Sequence, residues 1–236
     1  MPSGLLIDKL TALANPEKAA FLQGFFKTGK GQYAEGDIFL GLKVPEIREF
    51  IKEYHEMSLP DIKTLIYSKF HEVRLSGFLL LVRQFKKTKE DEHRKEIYDF
   101  YIEHAKQANN WDLVDLSCKD IVGEYLADKK NRQILYKLVD SSNLWEQRIS
   151  IVSTWTFIKY CDFNDTLLIS KKLLTHKHDL IHKAVGWMLR EVGKKDKNVL
   201  INFLEQYSSE MPRTALRYSI EHFSPEEKQK YMAKPR

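Results

Sequence analysis

Apolar residues return every three or four positions along most of the chain, as in Leu75, Phe78, Leu79 and Val82. That spacing puts them on one face of an α-helix. Strand-type alternation of β-branched residues is absent. Prolines stand at positions 2, 16, 45, 60, 212, 225 and 235, so residues 61–211 contain none. Proline breaks helix interiors, and a proline-free stretch with few glycines predicts helix after helix. Five of the ten glycines fall at 24, 29, 31, 36 and 41. The segment TGKGQYAEGD (28–37) therefore predicts a loop with several positive-φ positions. It lacks the GxxxxGK[ST] spacing and follows no buried strand, so a nucleotide-phosphate loop does not fit it.

The helical pattern repeats. HEVRLSGFLLL (71–81), NWDLVDLSCKDIV (110–122), LWEQRISIVSTWT (144–156), LIHKAVGWMLREV (180–192) and EMPRTALRYSIEHF (210–223) align, each placing a polar residue near a helix start ahead of an apolar or small face. The aligned positions are Arg74, Asp115, Arg148, Lys183 and Arg213, spaced by roughly the period of two-helix repeats. A single such repeat cannot bury its apolar face, so neighbours must stack. The expected fold is an all-α solenoid with a concave face. The expected organisation is a single domain over 1–236, with N-terminal helices and the Gly-rich loop in 1–60 and repeats over about 61–225.

Composition sharpens this only in places. Hydrophobic residues make up 43% of the chain, enough for a core and too many for disorder. The net charge of +5 is too small for a bulk polycation. Its distribution matters more: residues 170–236 hold 14 Lys and Arg against 8 Asp and Glu, while residues 1–169 hold 24 against 25. A one-sided basic surface attracts polyanions; ordinary solubility is the plainer explanation. Cys118 and Cys161 form no CxxC pair, which fits a reducing, cytoplasmic setting. MPSGLLIDKL does not read as a signal peptide, and no apolar run reaches the roughly 18 residues of a membrane span.

Across the aligned repeats the polar positions read Arg, Asp, Arg, Lys, Arg. A basic row on a concave helical face can follow a nucleic-acid backbone. Asp115 is electrostatically wrong for that task, which makes it a candidate for chemistry. In NNWDLVDL (109–116), Trp111 and Asp115 stand four apart, putting an indole and a carboxylate on one helix face. Asp112 points elsewhere, and Asn109 or Asn110 is a candidate N-cap. NLWEQR (143–148) gives Trp145 and Arg148; KAVGWMLRE (183–191) gives Trp187 beside Gly186, with Arg190 and Glu191. Tryptophans at helical spacing are commonly core. Trp155, in IVSTWTFI, reads as core and Trp145 as either, whereas Trp111 and Trp187 have polar or glycine neighbours. Arg148 can equally form a structural ion pair with Asp115 or Glu146.

The runs WDLVD, LWEQR and KAVGWMLRE, with GDIFLGLKVPEIRE (36–49), resemble the bacterial AlkD-type DNA alkylation-repair glycosylases, which are built from HEAT-like (ARM/HEAT) repeats. The resemblance covers nearly the whole chain and keeps the order and spacing of the motifs. It implies a concave DNA-binding face and a monomeric bacterial enzyme of the cytoplasm and nucleoid, acting on double-stranded DNA without a metal or cofactor. By resemblance, Asp115 is the catalytic carboxylate, Trp111 and Trp187 are aromatic walls around the lesion's sugar and backbone, and Arg148 is the cationic partner. Lys43, Arg74, Lys183, Arg190, Arg213 and Arg217 are the expected DNA-binding residues. Some members carry a tyrosine where this chain has Phe25 and Phe26, so a hydroxyl contact there is lost. The implied reaction is monofunctional release of N3- or N7-alkylated purines in base excision repair. The alternative is a non-catalytic repeat scaffold that binds nucleic acid or protein.

Other motifs carry less. His178 and His182 stand at i, i+4 in HDLIH, which is not HExxH and has no evident third ligand. Cys118 reads as a small buried hydrophobe rather than a nucleophile.

Overall fold

The computed structural model describes residues 2–233. Among them the regular structure is helical throughout, apart from an isolated bridge between Ile38 and Phe70. Backbone contacts divide the chain into two compact units, Met1–Ile121 and Val122–Arg236.

The first unit contains α1 (Ser3–Ala12), α2 (Pro16–Phe25), α3 (Val44–Phe50), α4 (Leu59–Ile66), α5 (His71–Lys87), α6 (Asp91–Glu103) and α7 (Trp111–Asp115). The starts of these helices follow local chemistry. Asn15 Oδ1 accepts from the Lys18 amide ahead of Pro16, and Ser58 Oγ from the Asp61 amide ahead of Pro60. In both, a side chain satisfies an orphan N–H while a proline fixes φ in the first helical turn. Helix α5 is central: thirteen of its 17 residues are buried, so neighbours cover it on nearly every side. Phe78 and Phe85 are fully enclosed there, and truncating either to alanine costs about 3–5 kcal/mol.

The second unit contains α8 (Glu124–Leu126), α9 (Gln133–Val139), α10 (Leu144–Ser153), α11 (Trp155–Lys159), α12 (Asn164–Lys172), α13 (Asp179–Lys195), α14 (Lys197–Tyr207), α15 (Arg213–Ser219) and α16 (Pro225–Met232). Helix α10 packs on α9 and α13, and α13 packs on α12, α14 and α15. This is the helical-repeat organisation that the sequence predicts: paired helices whose inner members stack on one another. Gly186 lets α13 and α15 meet. A Cβ there would lie 2.5 Å from the Ala215 carbonyl oxygen and 2.5 Å from Tyr218 Cβ. The glycine is thus required by a neighbouring helix. Ile149 on α10 and Ile181, Met188 and Leu189 on α13 are fully buried, each contributing roughly 1.5–3 kcal/mol. Trp145 is buried with them, whereas Trp155 is half-buried rather than core. No helix among the described residues is long and apolar enough to cross a membrane.

Candidate active site

Helix α7 is five residues long and holds the two first-unit residues of the expected catalytic set, Trp111 at its first position and Asp115 at its last. So short a helix is unstable alone and must be held by its surroundings. Asn110 caps it, its Oδ1 accepting from the Trp111 amide at 2.8 Å. Asn109, the other candidate cap, instead accepts from Arg74 Nε at 3.1 Å.

The Trp111 ring is half-buried and stacked on Phe26, with centroids 5.2 Å apart and planes 16° apart. Phe25 meets it edge-on at 6.2 Å. Phe26 in turn stacks on Phe39 at 4.9 Å. Phe25 and Phe26 thus form the support for the indole. Aromatic pairs in these geometries contribute about 0.5–1.5 kcal/mol each beyond burial, enough to fix the ring's plane. Asp115 is half-buried. Cys118, three residues on, is fully buried.

Beneath α7 lies a polar network that the sequence reading did not find. His71 is buried, its Nδ1 3.0 Å from Asp37 Oδ2 and its Nε2 2.9 Å from Asp112 Oδ2. Asp112 does point away from the Trp111 face, and this is its destination. Burial opposes a charge on the imidazole, but Asp112 and then Asp37 outweigh it and push the pKa up to about 9. Burial also works against the Asp37 carboxylate, yet His71 and Arg74 hold it below the usual carboxylate range. Arg74, expected on the DNA-facing row, is only 5% exposed. Its Nη2 donates to Asp37 Oδ1 at 2.5 Å and its Nη1 to the Ser68 carbonyl at 2.9 Å. A guanidinium engaged in this way belongs to the interior of the unit.

In the second unit, Arg148 is buried in α10 and donates from Nη1 to the Leu180 carbonyl at 2.6 Å. Leu180 lies in the first turn of α13, the helix that carries half-buried Trp187. At the start of the same helix, Glu146 accepts from Ser141 Oγ. Asn143 caps α10, its Oδ1 accepting from the Trp145 and Glu146 amides.

The remaining expected DNA contacts divide into two groups. Lys43 is exposed at the start of α3, its amide donating to Glu46 Oε2 at 2.7 Å. Arg213 and Arg217 are exposed on α15, with Arg213 Nη1 donating to the Met232 carbonyl at 2.6 Å. Lys183 pairs with Asp179 at 2.8 Å, and Arg190 with Glu221 and Glu191. His178, the N-cap of α13, and His176, two residues before it, lie below the usual histidine range, chiefly through burial. No group of three or more His, Cys, Asp or Glu residues among the described ones could hold a metal ion.

Comparison with known proteins converges on one family. Residues 6–223 match the family model described as DNA alkylation repair enzyme. No curated protein matches the chain. A solved structure, a predicted DNA alkylation repair enzyme from Enterococcus faecalis, superposes with a TM-score of 0.72 over 90% of this chain and 97% of that one. At 18% identity that likeness speaks to the fold alone. The family match runs through both compact units, and the chain accordingly belongs to the DNA alkylation repair enzyme family.

Proposed function

We propose that this protein is a monofunctional DNA glycosylase that releases cationic N3- and N7-alkylated purines, of the 3-methyladenine and 7-methylguanine type, from duplex DNA. The observation that carries the reading is α7: a half-buried carboxylate, Asp115, on the same short helix as an indole, Trp111, whose plane is fixed by stacking on Phe26. Membership of an alkylation-repair family supports alkylated DNA as the substrate.

The chemistry asks little beyond that. A purine alkylated at N3 or N7 already carries positive charge, so it leaves without protonation. The Asp115 carboxylate stabilises the oxocarbenium-like sugar that develops as the bond breaks. It also orients the attacking water and takes its proton. The Trp111 and Trp187 faces attract a cationic base or sugar, each by about 0.5–2 kcal/mol. Arg148, its guanidinium bonded to the Leu180 carbonyl, supplies a cation for a DNA phosphate. Exposed Lys43, Arg213 and Arg217 contact phosphates, with Lys183 and Arg190 joining them by exchanging intramolecular carboxylate partners for DNA. Arg74 acts in DNA binding through the loop and α7 residues it holds. The chain works as one domain and as a monomer, without metal or cofactor.

Incubating the protein with methylated duplex DNA and resolving the released bases by chromatography tests the reading. Free 7-methylguanine or 3-methyladenine above the spontaneous rate is the expected result. Tight DNA binding with no base released would replace the enzyme with the binding scaffold.

A further inference from the structure

His71 forms hydrogen bonds from both ring nitrogens to carboxylates on different elements: Asp37 at the end of the Gly-rich loop and Asp112 in α7. A neutral imidazole has one N–H and can donate to only one of them. With both acids ionised, both bonds form together only when both nitrogens carry protons. The charges agree. Asp37 and Asp112 are balanced by Arg74 and a cationic His71, whereas a neutral ring would leave a buried excess negative charge. The other acid nearby, Glu72, faces away: its carboxylate accepts from the Leu40, Gly41 and Leu42 amides. The remaining walls around the ring are Phe39, stacked at 4.3 Å, and Phe26, tilted at 5.2 Å.

From these contacts we infer that His71, as an imidazolium, is a positioning residue for the reaction: it clamps the start of α7 and so sets where Trp111 and Asp115 stand. Two routes carry the effect. The polar one runs from Nε2 to Asp112 Oδ2, while Asp112 Oδ1 accepts from the Leu113 amide in the same helix turn. The apolar one runs through Phe26, which touches His71 on one side and stacks under Trp111 on the other. Arg74 completes the grip by bonding both Asp37 and Asn109, two residues before the helix. A five-residue helix held at these points loses its register when the ring between them loses a proton. With a folded pKa of about 9, that loss falls on the alkaline side of neutrality.

This proposal rests on the glycosylase reading, and the test separates the two. Single-turnover base release from methylated duplex is measured from pH 6 to 10 at saturating protein, for wild type, His71→Asn and Asp37→Asn. Wild type should lose rate with an inflection near pH 9. His71→Asn should release base on the order of 10- to 100-fold more slowly at neutral pH, lose the inflection and bind DNA within about threefold of wild type. Asp37→Asn removes one of the two carboxylates that favour the cation, so its inflection should move to lower pH by about one unit. A side chain that merely filled space would move no inflection. Nitrogen-15 NMR of the imidazole gives a readout apart from activity, with two ring N–H protons expected at pH 7. Wild-type release with an inflection unmoved by Asp37→Asn, or a neutral ring at pH 7, overturns this proposal alone. No release by wild type overturns the parent reading and this one with it.

Discussion

The buried carboxylate of Glu72 offers a sharp quantitative test of how the Trp111 support is held in place. Its Oε2 accepts from the Leu40 amide at 2.8 Å, and its Oε1 from the Gly41 and Leu42 amides at 2.8 and 3.2 Å. The side chain is essentially inaccessible to water. These bonds pin residues 40–42 against α5. On the other side the same strap presses on α2: Gly41 sits at φ +88°, and a Cβ there would lie 2.4 Å from the Asn15 carbonyl oxygen. Phe39, next in the chain, stacks on Phe26, and Phe26 on Trp111. Glu72→Gln keeps the shape but replaces one acceptor oxygen with an NH2 group. If the amide oxygen keeps Gly41 and Leu42, the NH2 faces the Leu40 N–H, leaving two buried donors unsatisfied. At about 1–3 kcal/mol each, with weakening of the two retained charge-assisted bonds, the loss comes to roughly 3–5 kcal/mol. Urea denaturation followed by circular dichroism measures it, and hydrogen exchange at residues 40–42 locates it. A loss below about 1 kcal/mol, or amides at 40–42 as protected as in wild type, would refute the role given to this carboxylate.

Three further outcomes follow from other parts of the molecule. The His71 pKa is raised from 6.5 to about 9 on folding, so its contribution is complete below pH 6.5 and disappears as pH rises through 9. Unfolding free energy should fall by on the order of 3 kcal/mol over that window, and a His71→Asn protein should show no such slope in denaturant titrations. Gly186→Ala places a methyl group against the Ala215 carbonyl and Tyr218. It should cost about 1–3 kcal/mol by thermal melting and slow base release through displacement of Trp187, and full retention of both would contradict the close α13–α15 contact. Arg217→Ala and Arg213→Ala should each weaken duplex binding and reduce the slope of log K against log salt by about one, as read from fluorescence anisotropy. Unchanged slopes would remove α15 from the DNA footprint.

Local patterns made much of this legible. The helices of α5, α10 and α13 follow the recurrence of apolar residues and the lack of proline, and the place of Trp111 and Asp115 on one helix follows from their spacing. Of two candidate caps for α7, Asn110 holds that place because its side chain meets the Trp111 amide. The His71 network was hidden because its bonds join residues 34 and 41 positions apart, which no local period records. Arg74 read as a surface cation for the same reason, since Asp37 is 37 residues away. One signal was present. Helix α5 opens HEVR and then runs LSGFLLLV, apolar around its whole circumference. A helix covered on every side buries the charged residues of its first turn as well, and buried charges require partners. Arg190 shows the opposite limit: its acid partner Glu221, in the turn after α15, lies 31 residues on, and sequence spacing cannot tell an ion-paired arginine from an open one.

Asp115→Asn tests the central claim most directly, because it removes the charge and keeps the shape. Single-turnover release of 7-methylguanine and affinity for the same duplex are measured side by side for variant and wild type. The account predicts release falling by at least about a hundredfold while the dissociation constant changes by less than about threefold. Release at the wild-type rate from the asparagine protein would contradict it.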